Sequence, residues 1–172
     1  MTLGFIGCGN MASAIISGIL EKEIVKKEEI FASTKSEVSA QKITDALGIS
    51  CSTDNLAVAK KADYLFLCIK PQFCGDVAEE IRDCLPDGQV LISIIAGKNL
   101  DWLQEKFGTD KKIIRTMPNT PALVGEGITG VCPNQFVSPD EIRQVLTLLR
   151  SFGRADVVTE PILDVVGAVS GS

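Results

Sequence analysis

The 172-residue sequence predicts an α/β fold, with a doubly wound, mostly parallel sheet and helices on both faces. Residues 64–69 and 90–96 are unbroken apolar runs, as expected for parallel strands that are covered on both faces. Residues 2–20 predict a strand, a tight glycine turn and a helix. Strand-like and helix-like segments then alternate along the chain, which is typical of a doubly wound sheet.

The strand–turn–helix unit at the start carries the sequence FIGCGNMA, followed by apolar residues at helical spacing. Gly7 permits a sharp turn, and Gly9 has no Cβ, so that a pyrophosphate can approach the backbone. Ala12 is small enough for close packing of helix on strand. The helix start would present free N–H groups and the positive end of its dipole to the phosphates. The unit predicts a Rossmann-like dinucleotide-binding site, with a glycine turn that binds no ligand as the alternative.

The later elements follow from apolar periodicity and from capping residues. Further strands are predicted at residues 28–33, 49–51, 64–69, 90–96, 113–117, 128–131 and 155–158. Further helices are predicted at residues 37–47, 56–59, 77–85, 102–107 and 139–152, with another beginning at residue 160. Gly48 and Gly108 close two of these helices, and Ser138 with Pro139 starts a third.

Composition excludes several classes of function. The net charge is −5 and there is no basic stripe with interleaved aromatics, so we expect no nucleic-acid partner. No apolar run has membrane-spanning length and no signal peptide precedes the first strand, so we expect a cytoplasmic protein without a membrane partner. The chain has no histidine, and its six cysteines lack metal-ligand spacing, so no metal site is predicted. The cysteines are expected to be reduced.

The end of the second predicted strand carries hydroxyls and one cation, in the order Ser33, Thr34, Lys35 and Ser36. A site that prefers NAD usually has Asp or Glu here, which accepts hydrogen bonds from the ribose 2′-hydroxyl. A carboxylate would repel a 2′-phosphate, whereas these groups can bind one. We therefore expect NADP(H) to be preferred, with NAD(H) possible. The alternative is that the same residues only cap the next helix.

Other polar or glycine residues follow predicted strands, where ligands bind in open α/β sheets. Lys70 and Gly97 follow the strands at 64–69 and 90–96, in the same relation as Gly7 to the first strand. Taken alone, Lys70 would be a solvated lysine. Asn55 precedes an apolar helical segment, so a helix cap is the simpler prediction and contact with the adenosine is the alternative.

Several motifs together resemble the N-terminal part of pyrroline-5-carboxylate reductase. They are FIGCGNMA at 5–12, CIKPQ at 68–72, AG at 96–97, RTMPNTPALVGEG at 115–127 and AVSGS at 168–172. The resemblance covers the chain from Thr2 to Ser172. The glycine turn alone is unspecific, whereas the MPNTP run followed by VGEG and the terminal SGS are much more specific.

The resemblance implies NAD(P)H-dependent reduction of the C=N bond of 1-pyrroline-5-carboxylate to give L-proline, with a small-molecule substrate. It places the cofactor against Ile6, Gly7, Cys8, Gly9, Asn10, Met11, Ser33, Thr34, Lys35, Asn55, Cys68, Ile69, Lys70, Pro71, Ala96 and Gly97. It places Asn119 and Thr120 beside the nicotinamide and the imine. A protonated cyclic imine is already electrophilic, so the reaction needs orientation more than acid catalysis. No catalytic residue or proton donor is assigned.

The resemblance also sets the expected domain organisation. Residues 1–158 would form the NAD(P)-binding Rossmann domain. Residues 159–172 would begin the connection to a C-terminal helical dimerisation domain, absent from this chain, through which full-length members are homo-oligomeric. Such a truncated chain would be weakly active or inactive. The alternatives are a related NADP-dependent 3-hydroxyacid dehydrogenase or imine reductase, and a dinucleotide-binding module without catalysis.

Overall fold

The structure, a computed structural model, describes residues 1–119, 121 and 124–170, the last two as main chain only. In these ranges, eight strands alternate with seven helices. The strands are β1 Leu3–Ile6, β2 Ile30–Ser33, β3 Ser50–Ser52, β4 Tyr64–Leu67, β5 Val90–Ser93, β6 Lys112–Met117, β7 Gly127–Pro133 and β8 Gly153–Val157. The helices are α1 Asn10–Glu21, α2 Glu37–Leu47, α3 Asn55–Lys61, α4 Cys74–Ile81, α5 Leu100–Phe107, α6 Pro139–Leu149 and α7 Glu160–Ser170.

All eight strands form one sheet in the order β3-β2-β1-β4-β5-β6-β7-β8. Neighbouring strands are parallel except β6 and β7, which are antiparallel. The chain order reverses at β1, because Ile6 is in register with Ser33 of β2 on one side and with Leu67 of β4 on the other. The predicted doubly wound, mostly parallel sheet is confirmed, and its topological switch point lies beyond the carboxyl end of β1.

The core consists of two apolar layers, one on each face of the sheet. One layer includes Phe5 and Ile15, together with side chains of α6 such as Val145. The other includes Ile6 and side chains of α3, α4 and α5, among them Leu103. Phe5 and Ile6 of β1 are both fully buried, on opposite faces of the sheet. Because both apolar layers hold β1 in this way, they fix the position of the glycine turn that follows it.

Helix ends match the local signals. The Ser36 hydroxyl accepts a hydrogen bond from Ser39 N (3.2 Å) at the start of α2, and Gly48 ends this helix with φ of +72°. Ser138 and Glu141 form a capping box at the start of α6. Helix α2 thus begins and ends, and α6 begins, where local backbone chemistry predicts. The predicted end of α6 at residue 152 was wrong, because Arg150–Phe152 forms a 3-10 turn after Leu149.

Several predicted strand bounds were wrong. Residues 28 and 29 belong to a 3-10 turn, Lys27–Glu29, rather than to β2. Strand β4 ends at Leu67 and β5 at Ser93, two and three residues earlier than their apolar runs. Beyond these ends, Cys68, Ile69 and Ile94 stay partly covered and Ile95 is buried, although all four lie in loops at the carboxyl edge of the sheet. Apolar character therefore does not mark the end of the ladder.

Helix α7 is tied to the sheet by ion pairs with a buried arginine. Arg115 of β6 is 3% exposed. Its Nη1 donates to Glu160 Oε1 (3.0 Å), and its Nη2 lies 2.7 Å from Asp164 Oδ1. The same Glu160 oxygen accepts from Leu100 N (2.7 Å), so one carboxylate joins β6, α5 and α7. In the described part of the chain, no helix has both the length and the apolar character needed to cross a membrane.

Candidate functional site

The loop after β1 is held by hydrogen bonds to the end of β2. Gly7 N and Cys8 N both donate to Ser33 O, at 3.1 and 3.0 Å, and Gly9 N donates back to Gly7 O at 2.9 Å. Gly7 has a φ of +87°, and a Cβ there would lie 2.8 Å from the carbonyl oxygen of Cys68. A glycine is therefore required at residue 7 by the fold itself.

Gly9 lies in a different environment from Gly7. Its backbone is extended (φ −95°, ψ −156°), and apart from its chain neighbours no described residue has an atom within 4 Å of the position that a Cβ would occupy. The residue is the N-cap of α1, and no side chain caps this helix end. The first-turn N–H groups of Asn10 and Met11 have no partner within the helix and carry the positive end of its dipole. The open space beside an uncapped helix start fits a phosphate group.

A cavity of about 500 Å³ begins at this loop and continues past the carboxyl ends of β1, β2 and β4. Eleven of the predicted cofactor residues line it: Ile6, Gly7, Cys8, Gly9, Ser33, Thr34, Lys35, Asn55, Cys68, Ile69 and Lys70. The cavity lies at the switch point of the sheet, where open α/β sheets bind their ligands.

Five further residues complete this lining and were missed by sequence reasoning: Ser39, Thr53, Phe73, Asp76 and Val77. Ser39 and Thr53 follow the predicted strands that end at residues 33 and 51. Their position after these strand ends could have indicated them as cavity residues. Phe73, Asp76 and Val77 follow β4 and belong to a 3-10 turn and the start of α4. No local pattern separates them from ordinary helix-start residues.

The other predicted site residues lie outside this lining. Asn10 and Met11 form the first turn of α1, and Asn10 lines a second cavity, of about 480 Å³, with Val124 and Gly125. Pro71 begins the 3-10 turn that ends at Phe73, and Ala96 and Gly97 form the turn after β5. A role for these residues in binding stays a prediction.

The corner after β6 is described only in part. The Asn119 side chain is 9% exposed, and its Oδ1 accepts a hydrogen bond from Ile128 N at 2.9 Å, which closes the corner onto the following strand. Thr120, predicted beside the nicotinamide, lies outside the described residues. The predicted contacts of both residues with nicotinamide and imine stay predictions.

Asn55 does not cap α3, contrary to the simpler prediction. Asp54 is the N-cap, and its side chain accepts from Ala57 N at 3.0 Å. The Asn55 amide instead accepts from the Ser33 hydroxyl (2.7 Å) and donates to Glu80 Oε2 (3.0 Å). Asn55 therefore belongs to the cavity wall with both ends of its amide oriented.

Charges around the cavity have mixed sign. Lys35 and Lys70 contribute two exposed cations to the lining, and Asp76 contributes one carboxylate. Burial raises the pKa of the Cys8 thiol to about 11, against the opposing hydrogen bond with Ser13, and burial also raises the pKa of Cys68. Both thiols beside the glycine loop are thus neutral at pH 7 and do not repel a phosphate.

Residue types that bind metal ions are not clustered in the described part of the chain. Across residues 1–119, 121 and 124–170, no group of three or more His, Cys, Asp or Glu side chains is arranged to hold a metal ion. All six cysteines are free, and three of them are buried.

The fold and this cavity define a Rossmann-type dinucleotide-binding domain. The family model for NADP oxidoreductases, coenzyme F420-dependent, matches residues 2–97. The chain belongs to this family.

Known proteins extend the similarity over the whole chain. The pyrroline-5-carboxylate reductase of Escherichia coli K12 is 42% identical over 170 residues, which cover 99% of this chain and 63% of that protein. The structure of the enzyme from Coxiella burnetii gives a TM-score of 0.94 at 29% identity, covering 99% of this chain and 64% of that chain. The structure of the Plasmodium falciparum enzyme, solved with NADP bound, gives a TM-score of 0.88 at 33% identity, covering 99% of this chain and 62% of that chain. The chain thus spans less than two thirds of the length of these relatives.

Proposed function

We propose that this chain is the cofactor-binding portion of a pyrroline-5-carboxylate reductase that prefers NADPH. The observation that carries the proposal is the cavity at the switch point, with a glycine loop at one end and Ser33, Thr34 and Lys35 in its wall. Similarity to the reductases over 99% of the chain supports the choice of reaction.

The preference for NADPH is inferred from the chemistry at the end of β2. The buried Ser33 hydroxyl donates to Asn55 and the Thr34 hydroxyl donates to Ser36 O (3.1 Å), so the charged group at the end of β2 that would pair with a 2′-phosphate is Lys35. Glu80 is engaged by Asn55, and Glu37 accepts from Thr53 Oγ1 at 3.0 Å, so two nearby carboxylates are already hydrogen-bonded. Asp76 is the carboxylate that lines the cavity, and it belongs to α4 rather than to the end of β2.

The dinucleotide would lie across the carboxyl edge of the sheet. Its diphosphate would contact the loop from Gly7 to Met11, because space is open above Gly9 and the helix end is uncapped. The adenosine end would face Lys35 and Asn55. The nicotinamide end would face the turns after β5 and β6, which include Gly97 and Asn119.

When bound, NADPH supplies the hydride that reduces the imine carbon. The chain's own contribution is to orient the reacting groups, because a protonated imine needs no further activation. Asn119 Oδ1 accepts a hydrogen bond from Ile128 N, and this bond would hold the Asn119 side chain in place on the substrate side of the site. We propose no proton donor within the chain.

We propose the same division of the protein as the sequence predicts. Residues 1–158 would bind the dinucleotide, and residues 159–172 would lead into a helical part that completes the substrate site and forms a homo-oligomer. The relatives' greater length supports this division. Six free cysteines favour action in the reducing cytoplasm.

The cofactor proposal is tested by the melting temperature of this chain with NADPH or NADH at equal concentration. A ligand at 100 times its Kd adds about 2.7 kcal/mol of stability, which is a shift of about 5–10 °C for a chain of this size. We expect a larger shift with NADPH, and equal shifts would contradict the preference. Pyrroline-5-carboxylate-dependent NADPH oxidation, measured with a chain extended beyond Ser172, tests the reaction itself.

A further inference from the structure

Lys35 and Phe73 contact each other within the lining of the large cavity. The Lys35 ammonium lies 3.1 Å from the centroid of the Phe73 ring. Lys35 belongs to the loop between β2 and α2, whereas Phe73 ends the 3-10 turn before α4. The contact therefore joins the loop after β2 to the loop after β4 within the cavity lining.

The two partners differ in mobility. Phe73 is partly buried, its N donates to Lys70 O at 3.0 Å, and the next residue, Cys74, is fully buried at the start of α4. The main chain that carries the Phe73 ring is therefore fixed in place. Lys35 is exposed and carries its charge on a long flexible stem, so that its ammonium can leave the ring without a change in the fold.

A cation and a nucleobase compete for the face of an aromatic ring. Base–aromatic stacking needs that face to be free, and so does a cation–π contact. The neighbouring Val77 adds apolar lining to the same part of the cavity, which suits a base rather than a phosphate. The ring is thus well placed for adenine, and its face is covered by the Lys35 ammonium.

We propose that Phe73 is the stacking platform for the adenine ring and that Lys35 is a movable cover of this platform. A 2′-phosphate draws the ammonium away through a charge-assisted contact, which is stronger than a contact with a ring. A nucleotide without the 2′-phosphate must displace the cation with no compensating interaction. The pair would therefore discriminate between the two kinds of nucleotide in two ways. It would strengthen binding of a nucleotide that carries the 2′-phosphate, and it would weaken binding of one that lacks it. The inference rests on the proposed function, because it assigns the adenosine half of the dinucleotide to this cavity.

The test uses two nucleotides without nicotinamide, adenosine 2′,5′-bisphosphate and 5′-AMP, titrated by calorimetry into this chain. In Lys35→Ala, the bisphosphate should bind about tenfold or more weakly. The same variant should bind 5′-AMP about two to five times more tightly, the worth of an exposed cation–π contact. Phe73→Leu should weaken both nucleotides by about threefold or more, and Phe73→Tyr should restore them.

Lys61→Ala is the matched control, because Lys61 lies 4.6 Å from the centroid of the Phe31 ring and neither residue lines this cavity. It should change neither affinity. Weaker binding of 5′-AMP by Lys35→Ala would show that the lysine is a direct ligand and not a cover, and unchanged binding by Phe73→Leu would exclude the platform. Either result overturns the inference and leaves the proposed function intact. If neither nucleotide binds the unmodified chain, both fail.

Discussion

The Ser33 hydroxyl donates a 2.7 Å hydrogen bond to the amide oxygen of Asn55, which joins the ends of two structural units 22 residues apart in sequence. Ser33 is fully buried at the end of β2, and Asn55 begins α3. Because the Asn55 nitrogen is used by Glu80, the amide has one orientation. This orientation makes residue 55 a sensitive probe of the adenosine end.

Asn55→Asp should weaken NADPH binding more than NADH binding. The substitution places a carboxylate 3.0 Å from the Glu80 oxygen, and this new charge also faces the expected 2′-phosphate. We expect about a tenfold loss for NADPH, measured as Kd by fluorescence titration.

The same variant should lose stability at neutral pH and recover it in acid. Of two carboxylates this close, one has its pKa raised in the folded state, so its stabilising protonated form is lost as pH rises. Adding Glu80→Gln should restore stability at pH 7, because the Gln amide can donate to the new carboxylate at residue 55, while the NADPH deficit should persist. Recovery of both properties would show that the added charge is not the cause of the weaker binding.

Gly7→Ala should destabilise the fold. A Cβ would lie 2.8 Å from Cys68 O in a backbone of positive φ, so we expect a loss of about 2–3 kcal/mol in the free energy of unfolding by urea. Gly88 is the matched control, since its φ is +79° with no atom within 4 Å of its Cβ position. Gly88→Ala should cost about 1 kcal/mol, and an equal cost at both positions would mean that the clash with Cys68 is relieved.

Gly9→Val should keep the fold and abolish cofactor binding. Among the described residues, no atom beyond its chain neighbours lies within 4 Å of a Cβ at residue 9, so the side chain would stand where the diphosphate is expected. The urea midpoint should stay close to that of the unmodified chain, while the NADPH-induced rise in melting temperature disappears. Gly75→Val, at another open glycine outside the cavity lining, controls for the valine itself and should keep this rise. Normal affinity in Gly9→Val would refute the placement of the diphosphate.

Lys35→Glu should reduce the affinity for NADPH about tenfold or more and change the affinity for NADH much less. The reason is repulsion of the 2′-phosphate by a charge at the cavity wall. Lys61→Glu provides the same change of charge outside this cavity and should affect both cofactors equally and weakly. An equal loss of affinity for both cofactors in Lys35→Glu would show that Lys35 acts only as a surface charge.

Glu160→Gln should destabilise the protein more than Asp164→Asn. Both carboxylates contact the buried Arg115, but Glu160 is the less exposed, at 29% against 59%, and it also accepts from Leu100 N. In urea unfolding, we expect the free energy of unfolding to fall by about 2 kcal/mol for Glu160→Gln and by at most about 1 kcal/mol for Asp164→Asn. Removal of the less solvated partner leaves more of the arginine charge uncompensated. Equal losses would indicate that the two pairs are screened alike.

Local signals were sufficient for most of the fold. Helix α2 begins and ends at predicted capping residues and α6 begins at one, because a cap satisfies backbone groups within three or four positions. Helix α6 ends at Leu149 rather than at the predicted residue 152. The strand bounds were less accurate. Apolar runs continued past Leu67 and Ser93, since loop residues at the sheet edge are also covered.

The sequence by itself determined the α/β class and the glycine turn, because these depend on residues that are close together along the chain. The cavity wall combines loops between residues 6 and 77, and most of it was predicted only through the resemblance to a known family. Only the tertiary structure decided that Asn55 pairs with Ser33 instead of capping α3, and that Phe73 lies beneath Lys35. The Asn55–Ser33 contact exists because β3, which precedes α3, lies beside β2, and the Phe73–Lys35 contact exists because β2 and β4 lie on either side of β1 in the sheet. Strand order depends on how whole layers pack, and no spacing within a single segment records it.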